Sequence, residues 1–203
     1  YLFEASSAPI PAFTKEEFIN MMRGLLESIS SRLENTRHDD ILRLKYLAAL
    51  TRLLEKISSF DVKSGMKSDE ILNRYSLSSD KFISLCIQAS DTLSGELLNR
   101  FFNTEDEVTI IDLANKAAMA GLNLFPDSKE LLFFYSISSM MKPESLQNRE
   151  LAALQFERLF ASGDLPASIK DRAIKMRGVV QREYLESLIH YQPENHEAIE
   201  RTL

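Results

Sequence analysis

The chain has 203 residues, of which only six are Gly and six are Pro, with one Cys and no Trp. So few turn-forming residues disfavour a sheet-rich fold, and one cysteine excludes an internal disulfide. The hydrophobic content of 44% is too high for a disordered chain, yet no stretch approaches the ~20 apolar residues of a membrane span. A net charge of −6 disfavours general nucleic-acid binding, which needs clustered Lys and Arg. We therefore expect a soluble all-α protein.

The first thirteen residues differ in composition and periodicity from the rest of the chain. Residues 1–13 contain aromatic residues and prolines without a helical period, so we predict an extended N-terminal tail. They lack the basic segment that begins a signal peptide. Localisation stays open between the cytoplasm and an extracytoplasmic position after a removed signal or anchor.

Two long helices are predicted at the start of the domain. Thr14 and Glu17 form a capping-box pattern that predicts a helix over residues 15–35. Apolar residues recur along this helix with helical spacing, namely Phe18, Met22, Leu25, Ile29 and Leu33. Asp39 or Asp40 is expected to cap a second helix, whose wide apolar stripe indicates contact with two neighbours.

The middle of the chain predicts a loop, a short helix and a longer helix. Residues 58–68 show no periodicity and are expected to form the loop, and the short helix should end near Tyr75. Ser78 or Ser79 is expected to cap the longer helix. Gly95 lies inside that helix and costs about 1 kcal/mol relative to Ala, so we expect a weak point or a bend there.

Further helices are predicted in the second half, where most of the prolines and glycines separate helical segments. A helix over 106–125 should end at Pro126, because proline cannot continue the helical hydrogen-bond ladder. Another should cover 129–141, followed by a break at 142–143. Gly178 is expected to divide the last long helical region into two helices.

No residue pattern in the chain predicts a catalytic or metal site. The three histidines lack the spaced partners that a metal-binding motif requires: His38, His190 and His196. Cys86 lies at an apolar helical position and is predicted to be a buried structural thiol. The acidic residues 105–107 are expected to cap a helix rather than bind a metal. We therefore predict no cofactor and no enzymatic activity.

Two segments of the second half repeat the same pattern. Residues 122–131 and 189–198 each contain an apolar helix end, Pro, an acid, a small polar residue and a new helix start. Pro126 and Pro193 lie 67 residues apart. This separation is close to two periods of a ~34-residue helix–turn–helix repeat.

With these residues the chain resembles the tetratricopeptide-repeat (TPR) family or its looser relatives. Ala114, Gly121 and Pro126 match the two small-residue positions and the closing proline of that repeat. The resemblance covers residues 106–203, and an irregular helical bundle or another α-solenoid remains an alternative. We predict one all-helical domain over 14–203, with about eight to ten helices in antiparallel pairs and a possible subdivision near residues 103–106.

The resemblance implies a module that binds a protein or peptide in a helical groove. In such repeats the first helix of each pair lines the groove, which makes the helix after Pro126 the first candidate. The predicted partner-binding residues on it are Lys129, Phe133, Phe134 and Ile137. Phe133 and Phe134 cannot share one helical face, and the alternative is that both belong to the core. A second set is basic and suits an acidic partner: Lys170, Arg177 and Arg182.

Two other functions stay open at this stage. A helical bundle with an interior pocket would bind a small ligand or catalyse a reaction, and polar residues would then converge inside it. The candidates are Tyr46, Arg52, Tyr75 and Tyr135. The near-heptad stripe from Phe18 to Leu33 also suits self-association, which predicts a homodimer.

Overall fold

The computed structural model describes residues 14–36, 38–60, 66–142, 145–161 and 163–202. These residues form nine helices and no strand, which confirms the predicted all-α class. The helices are α1 (Lys15–Asn35), α2 (Asp40–Phe60), α3 (Ser68–Arg74), α4 (Ser79–Thr92, continuing through a π-helical turn, Leu93–Leu97, into a last turn, Leu98–Arg100), α5 (Glu107–Leu124), α6 (Lys129–Met141), α7 (Leu146–Ala161), α8 (Lys170–Tyr191) and α9 (His196–Thr202). The predicted tail at 1–13 and the predicted break at Pro143 lie outside the described residues.

Side-chain caps fix the helix starts that the sequence predicts. The Thr14 backbone N–H donates to Glu17 Oε2 at 2.8 Å, and the Glu17 N–H donates back to Thr14 Oγ1 at 3.2 Å. Asp39 caps α2 by accepting from the Leu42 N–H at 2.9 Å, and Ser78 caps α4. Each bond satisfies a backbone donor that the first helical turn leaves unpaired.

Helix α5 lies at the centre of the first half of the molecule. It packs against α2 and α4, and α2 also contacts α1, so the wide stripe on α2 serves several neighbours, as predicted. Side chains from all of these helices form one hydrophobic cluster, which includes Leu54, Phe82 and Ala117. The adjacent Ala118 belongs instead to a second cluster, built mainly from α6, α7 and α8. Helix α5 therefore joins the two cores.

The small-residue seam of α5 allows a close approach to α6. A Cβ atom added to Gly121 would lie 2.5 Å from Leu131 Cδ1, well inside van der Waals contact. Leu131 is fully buried, so its side chain would have to shift within the core to admit that atom. Glycine at this position therefore lets the Leu131 side chain pack directly against the α5 backbone.

The bend expected near Gly95 takes a specific form. Helix α4 widens into a π-helical turn over Leu93–Leu97, which contains Gly95 and places Ser94 among buried residues. Such single π-turns inside α-helices occur often at functional sites.

Two details of the helix predictions are wrong. Leu25 is 43% exposed, and the neighbouring Leu26 takes its place in the core, because α2 covers a face of α1 slightly rotated from the predicted stripe. Gly178 does not divide the last long region, since α8 continues through it from Lys170 to Tyr191. Gly178 is exposed and meets no neighbouring atom, so it makes no contact that holds the helix in place. Buried residues before and after it, such as Ala173 and Val180, pack α8 against the core and keep the helix intact.

The two proline-containing segments adopt the same turn. Phe125 ends α5 with φ −131° and ψ 70°, and Gln192 ends α8 with φ −141° and ψ 59°. Each residue donates its N–H four residues back, to Gly121 and Leu188 respectively, and accepts from the N–H three residues on. Three helices lie between the two turns, whereas two repeats of a helix pair contain four. The turn is thus repeated, and the resemblance to the TPR family stays a prediction.

Candidate functional site

The aromatic candidates on α6 lie in the protein interior. Phe133 is 1% exposed, Phe134 is 3% exposed and Ile137 is 6% exposed. Phe133 contacts Phe134 and also Phe156 of α7, with ring centroids 5.2 and 6.0 Å apart. The structure therefore favours the alternative in which both rings belong to the core, because neighbouring helices surround α6 on several sides. They do not form an open, aromatic groove for a peptide.

Three of the four basic candidates contact acids or a carbonyl of the same chain. Lys129 Nζ donates to the Asp164 carbonyl at 2.5 Å. Arg177 pairs with Glu157 at 3.5 Å and lies over the Phe160 ring. Arg182 lies 3.7 Å from Glu183 and 3.8 Å from Glu186, both on its own helix, and Lys170 is exposed on α8. Much of the charge expected to meet an acidic partner is therefore balanced internally.

The four polar candidates for an interior pocket do not converge. The Tyr46 hydroxyl accepts from Arg32 at the surface, and Arg52 lies in a groove on another side of α2. Tyr75 lines a separate recess beside α1. Tyr135 is buried, and burial raises the pKa of its hydroxyl. The structure thus brings no two of them into one site.

A different site is formed where α2 and α5 lie side by side. A groove of about 610 Å³ runs between them and extends to the end of α6, and we call it the α2–α5 groove. Charged and polar residues predominate along it, and its lining is Arg52, Glu55, Lys56, Ser59, Asp112, Asn115, Lys116, Met119, Ala120, Asn123 and Lys142. The groove is open along the surface and has the dimensions of a binding cleft.

The floor of the α2–α5 groove is held by a buried amide. Asn115 is only 6% exposed, and its Nδ2 donates to Ser138 Oγ at 3.2 Å and to Ser139 Oγ at 2.9 Å. Ser138 in turn donates to the Phe134 carbonyl, one helical turn earlier on α6. Buried polar groups with satisfied hydrogen bonds fix the position of the elements that carry them. This network therefore fixes α5 against α6 beneath the groove.

Cations outnumber acids along the groove. Asp112 is shared by two of them, with Lys116 Nζ at 2.7 Å and Lys142 Nζ at 3.7 Å. The hydrogen bond and the charge of Asp112 raise the pKa of the Lys116 ammonium group above its usual value. Arg52 and Lys56 are exposed one turn apart on α2 and have no ion-pair partner among the described residues. The four cations and two acids leave a positive groove on a chain of net charge −6.

One apolar side chain is exposed between these charges. Met119 lies on α5 within the groove and is 45% exposed. Methionine is flexible and polarizable, and it adapts its shape to apolar groups of different partners. The groove thus combines a positive rim with an apolar contact point.

The groove could not be found from the sequence by spacing. Arg52 and Lys56 form an i, i+4 pair, but Lys116 follows Lys56 by 60 residues, and no local signal shows that they meet. Their proximity results from the packing of α2 on α5. Asp112 and Lys116 form a single i, i+4 ion pair, which is common on a solvent-facing helix.

The acidic segment before α5 supports local structure. Glu107 accepts the Asn103 backbone N–H at 2.7 Å, so the acidic segment closes a turn before α5.

Within the described ranges, no group of three or more His, Cys, Asp or Glu side chains is placed to hold a metal ion. Nor does any described helix have the length and apolar character needed to cross a membrane.

Comparison with known proteins gives no relative from which to transfer a role. The chain matches no family model, and neither a curated protein nor a solved structure shows significant similarity to it. The function must therefore be argued from the geometry of the site itself.

Proposed function

We propose that the protein is a non-catalytic interaction module that binds an acidic amphipathic segment of a partner protein in the α2–α5 groove. The observation that supports this most directly is the excess of cations along the groove on an otherwise acidic chain. Opposite charges across an interface steer the encounter of the partners and fix their register.

The charge pattern favours an acidic segment over other occupants. Arg52 and Lys56 lie one turn apart on α2, so carboxylates one turn apart on a partner helix match their spacing. Lys116 and Lys142 already share Asp112, and they form the opposite side of the groove. An apolar side chain of the partner then contacts Met119 between the two charged sides.

The test uses two synthetic amphipathic helical peptides that share one apolar face. One carries Glu on its polar face and the other carries Lys, and both bear a fluorescent label. We expect the Glu peptide to bind and the Lys peptide to bind at least about tenfold more weakly, which corresponds to ~1.4 kcal/mol. Binding of the Glu peptide should also weaken as salt is added, because exposed charges are screened.

A charge reversal on α2 locates the binding surface. Lys56→Glu reverses an exposed cation inside the groove and should weaken binding of the Glu peptide about tenfold. Lys45→Glu is the matched control, since Lys45 is exposed on the same helix outside the groove. Equal affinity of the two variants, or equal affinity for the two peptides, contradicts the proposal.

A further inference from the structure

A second cavity lies beside the π-helical turn of α4. It shares no lining residue with the α2–α5 groove. It has a volume of about 230 Å³, is open to the surface and is lined by α4, α6 and α8, and we call it the π-turn pocket. Ser94, from the π-helical turn, forms one side. Widening of a helix at a π-turn displaces its backbone from the regular path, and such turns occur often at functional sites.

The interior of the π-turn pocket is apolar. Phe133 and Ile137 of α6 form its floor, and both are buried. Met141 and Met176 complete the lining from α6 and α8. An apolar cavity of ~150 Å³ in a protein core binds a six-carbon aromatic ring, so the π-turn pocket accommodates about nine or ten non-hydrogen atoms. Its ligand is therefore a small molecule with an apolar body.

The rim of the π-turn pocket is positive. Arg172 and Lys175 both line it from α8, less than one helical turn apart. Arg172 is held in place, because its Nη1 lies 3.0 Å from Asp91 Oδ1 and its guanidinium carbon lies 5.4 Å from the centroids of the Phe133 and Phe134 rings. Asp91 balances that charge. Lys175 is exposed and has no ion-pair partner among the described residues, so it supplies the uncompensated cation.

We propose that the π-turn pocket binds a small amphipathic carboxylate, such as a medium-chain aliphatic acid. The apolar tail contacts Phe133, Ile137 and the two methionines, and the carboxylate meets the Lys175 ammonium group at the rim. A hydrogen bond between an ammonium group and a carboxylate is stronger than one between neutral groups. A ligand of this size binds with modest affinity, in the range of micromolar to millimolar Kd. This site is independent of the α2–α5 groove.

Methionine methyl NMR tests the location directly with octanoate as the probe. In protein labelled at the Met ε-methyl groups, octanoate should shift the signals of Met141 and Met176, which line the pocket. The signals of Met119, in the α2–α5 groove, and Met21, exposed on α1, should stay unchanged. Shifts confined to Met119 or Met21, or no shift at millimolar octanoate, overturn the proposal.

The contribution of charge is tested by calorimetry on matched variants. Lys175→Glu reverses an exposed residue, so folding should be unaffected, and the Kd for octanoate should rise at least about tenfold. Lys170→Glu, exposed on the same helix outside the pocket, should leave the Kd within about twofold of the unaltered protein. The neutral analogue octanamide should bind at least about tenfold more weakly than octanoate. Equal binding of octanamide, or an unchanged Kd in Lys175→Glu, excludes recognition of an anion.

Discussion

At the scale of single residues, Asn115 has the most consequential environment. Its amide holds α5 to α6 through the hydroxyls of Ser138 and Ser139, and all three residues are buried. We expect Asn115→Ala to lower the free energy of unfolding by about 1–3 kcal/mol, because it leaves these buried hydroxyls without their donor. Urea denaturation measures the change. Asn123→Ala, an exposed change on the same helix, is the control and should have little effect.

Cys86 gives a prediction that depends on pH. Burial raises the pKa of its thiol, so the folded protein keeps it neutral where an unfolded chain begins to ionise it, near pH 8.5. The folded state then binds more protons, and this contribution to stability is complete below about pH 8.5 and declines at higher pH. The free energy of unfolding should therefore fall more steeply between about pH 8 and pH 10 in the unaltered protein than in Cys86→Ala. Parallel profiles in urea titrations of the two proteins would show that the thiol ionises equally in both states.

At the scale of helices, two glycines make opposite predictions. Gly121→Ala places a Cβ 2.5 Å from Leu131 Cδ1 between α5 and α6, so we expect a loss of about 1–3 kcal/mol of stability. Gly178→Ala meets no atom within 4 Å on α8 and should raise stability by about 0.4–1 kcal/mol through its helix propensity. Thermal denaturation of both variants checks the signs. A stabilising Gly121→Ala would mean that the Leu131 side chain moves aside without loss of packing.

Helix ends were predictable because local contacts set them. The capping box at Thr14, the cap at Ser78 and the stop at Pro126 each involve residues within four positions of one another. The face that each helix buries was less predictable, as Leu25 shows, because it depends on where a neighbour lies. Helix α6 is an extreme case. Nine consecutive residues, 131–139, are buried. The helix is therefore covered on all sides over this segment, and it has no exposed face that a polar stripe would mark.

The candidate sites were not predictable for the same reason. The α2–α5 groove joins Lys56 to Lys116, and the π-turn pocket joins Ser94 to Lys175, and neither pair is close in sequence. The basic residues predicted on α8 were a partial signal, since Lys170 and Arg177 flank Arg172 and Lys175 in the sequence. The fold was needed to show that Arg172 is balanced by Asp91 and that Lys175 lies at an apolar cavity.

At the scale of the whole molecule, the two hydrophobic clusters share α5. Ala117 belongs to the first cluster and Ala118 to the second, so neither core can open without disturbing that helix. We expect the described domain to unfold as one cooperative unit. Phe156→Ala, at the centre of the second cluster, should cost about 3–5 kcal/mol and should accelerate global hydrogen exchange in α2 as well as in α7.

Hydrogen exchange followed by mass spectrometry distinguishes one unit from two. Coupled loss of protection in α2 and α7 agrees with a shared central helix. Faster exchange confined to α6, α7 and α8 in Phe156→Ala would show that the second cluster opens alone. Met119→Ala is a suitable control, since Met119 is on α5 but exposed to solvent.

The turn shared by Phe125 and Gln192 has a consequence for how this chain is constructed. One copy lies against the core beside Gly121 and Leu131, whereas the other leads into α9, which has no buried residue. Their dihedral angles nevertheless agree within 11°, so the same turn forms in two different surroundings. It behaves as a connector whose conformation is set by its own residues, about seven in number. Transplanted between two other helices, this segment should form the same turn, with the same backbone hydrogen bonds at its first residue.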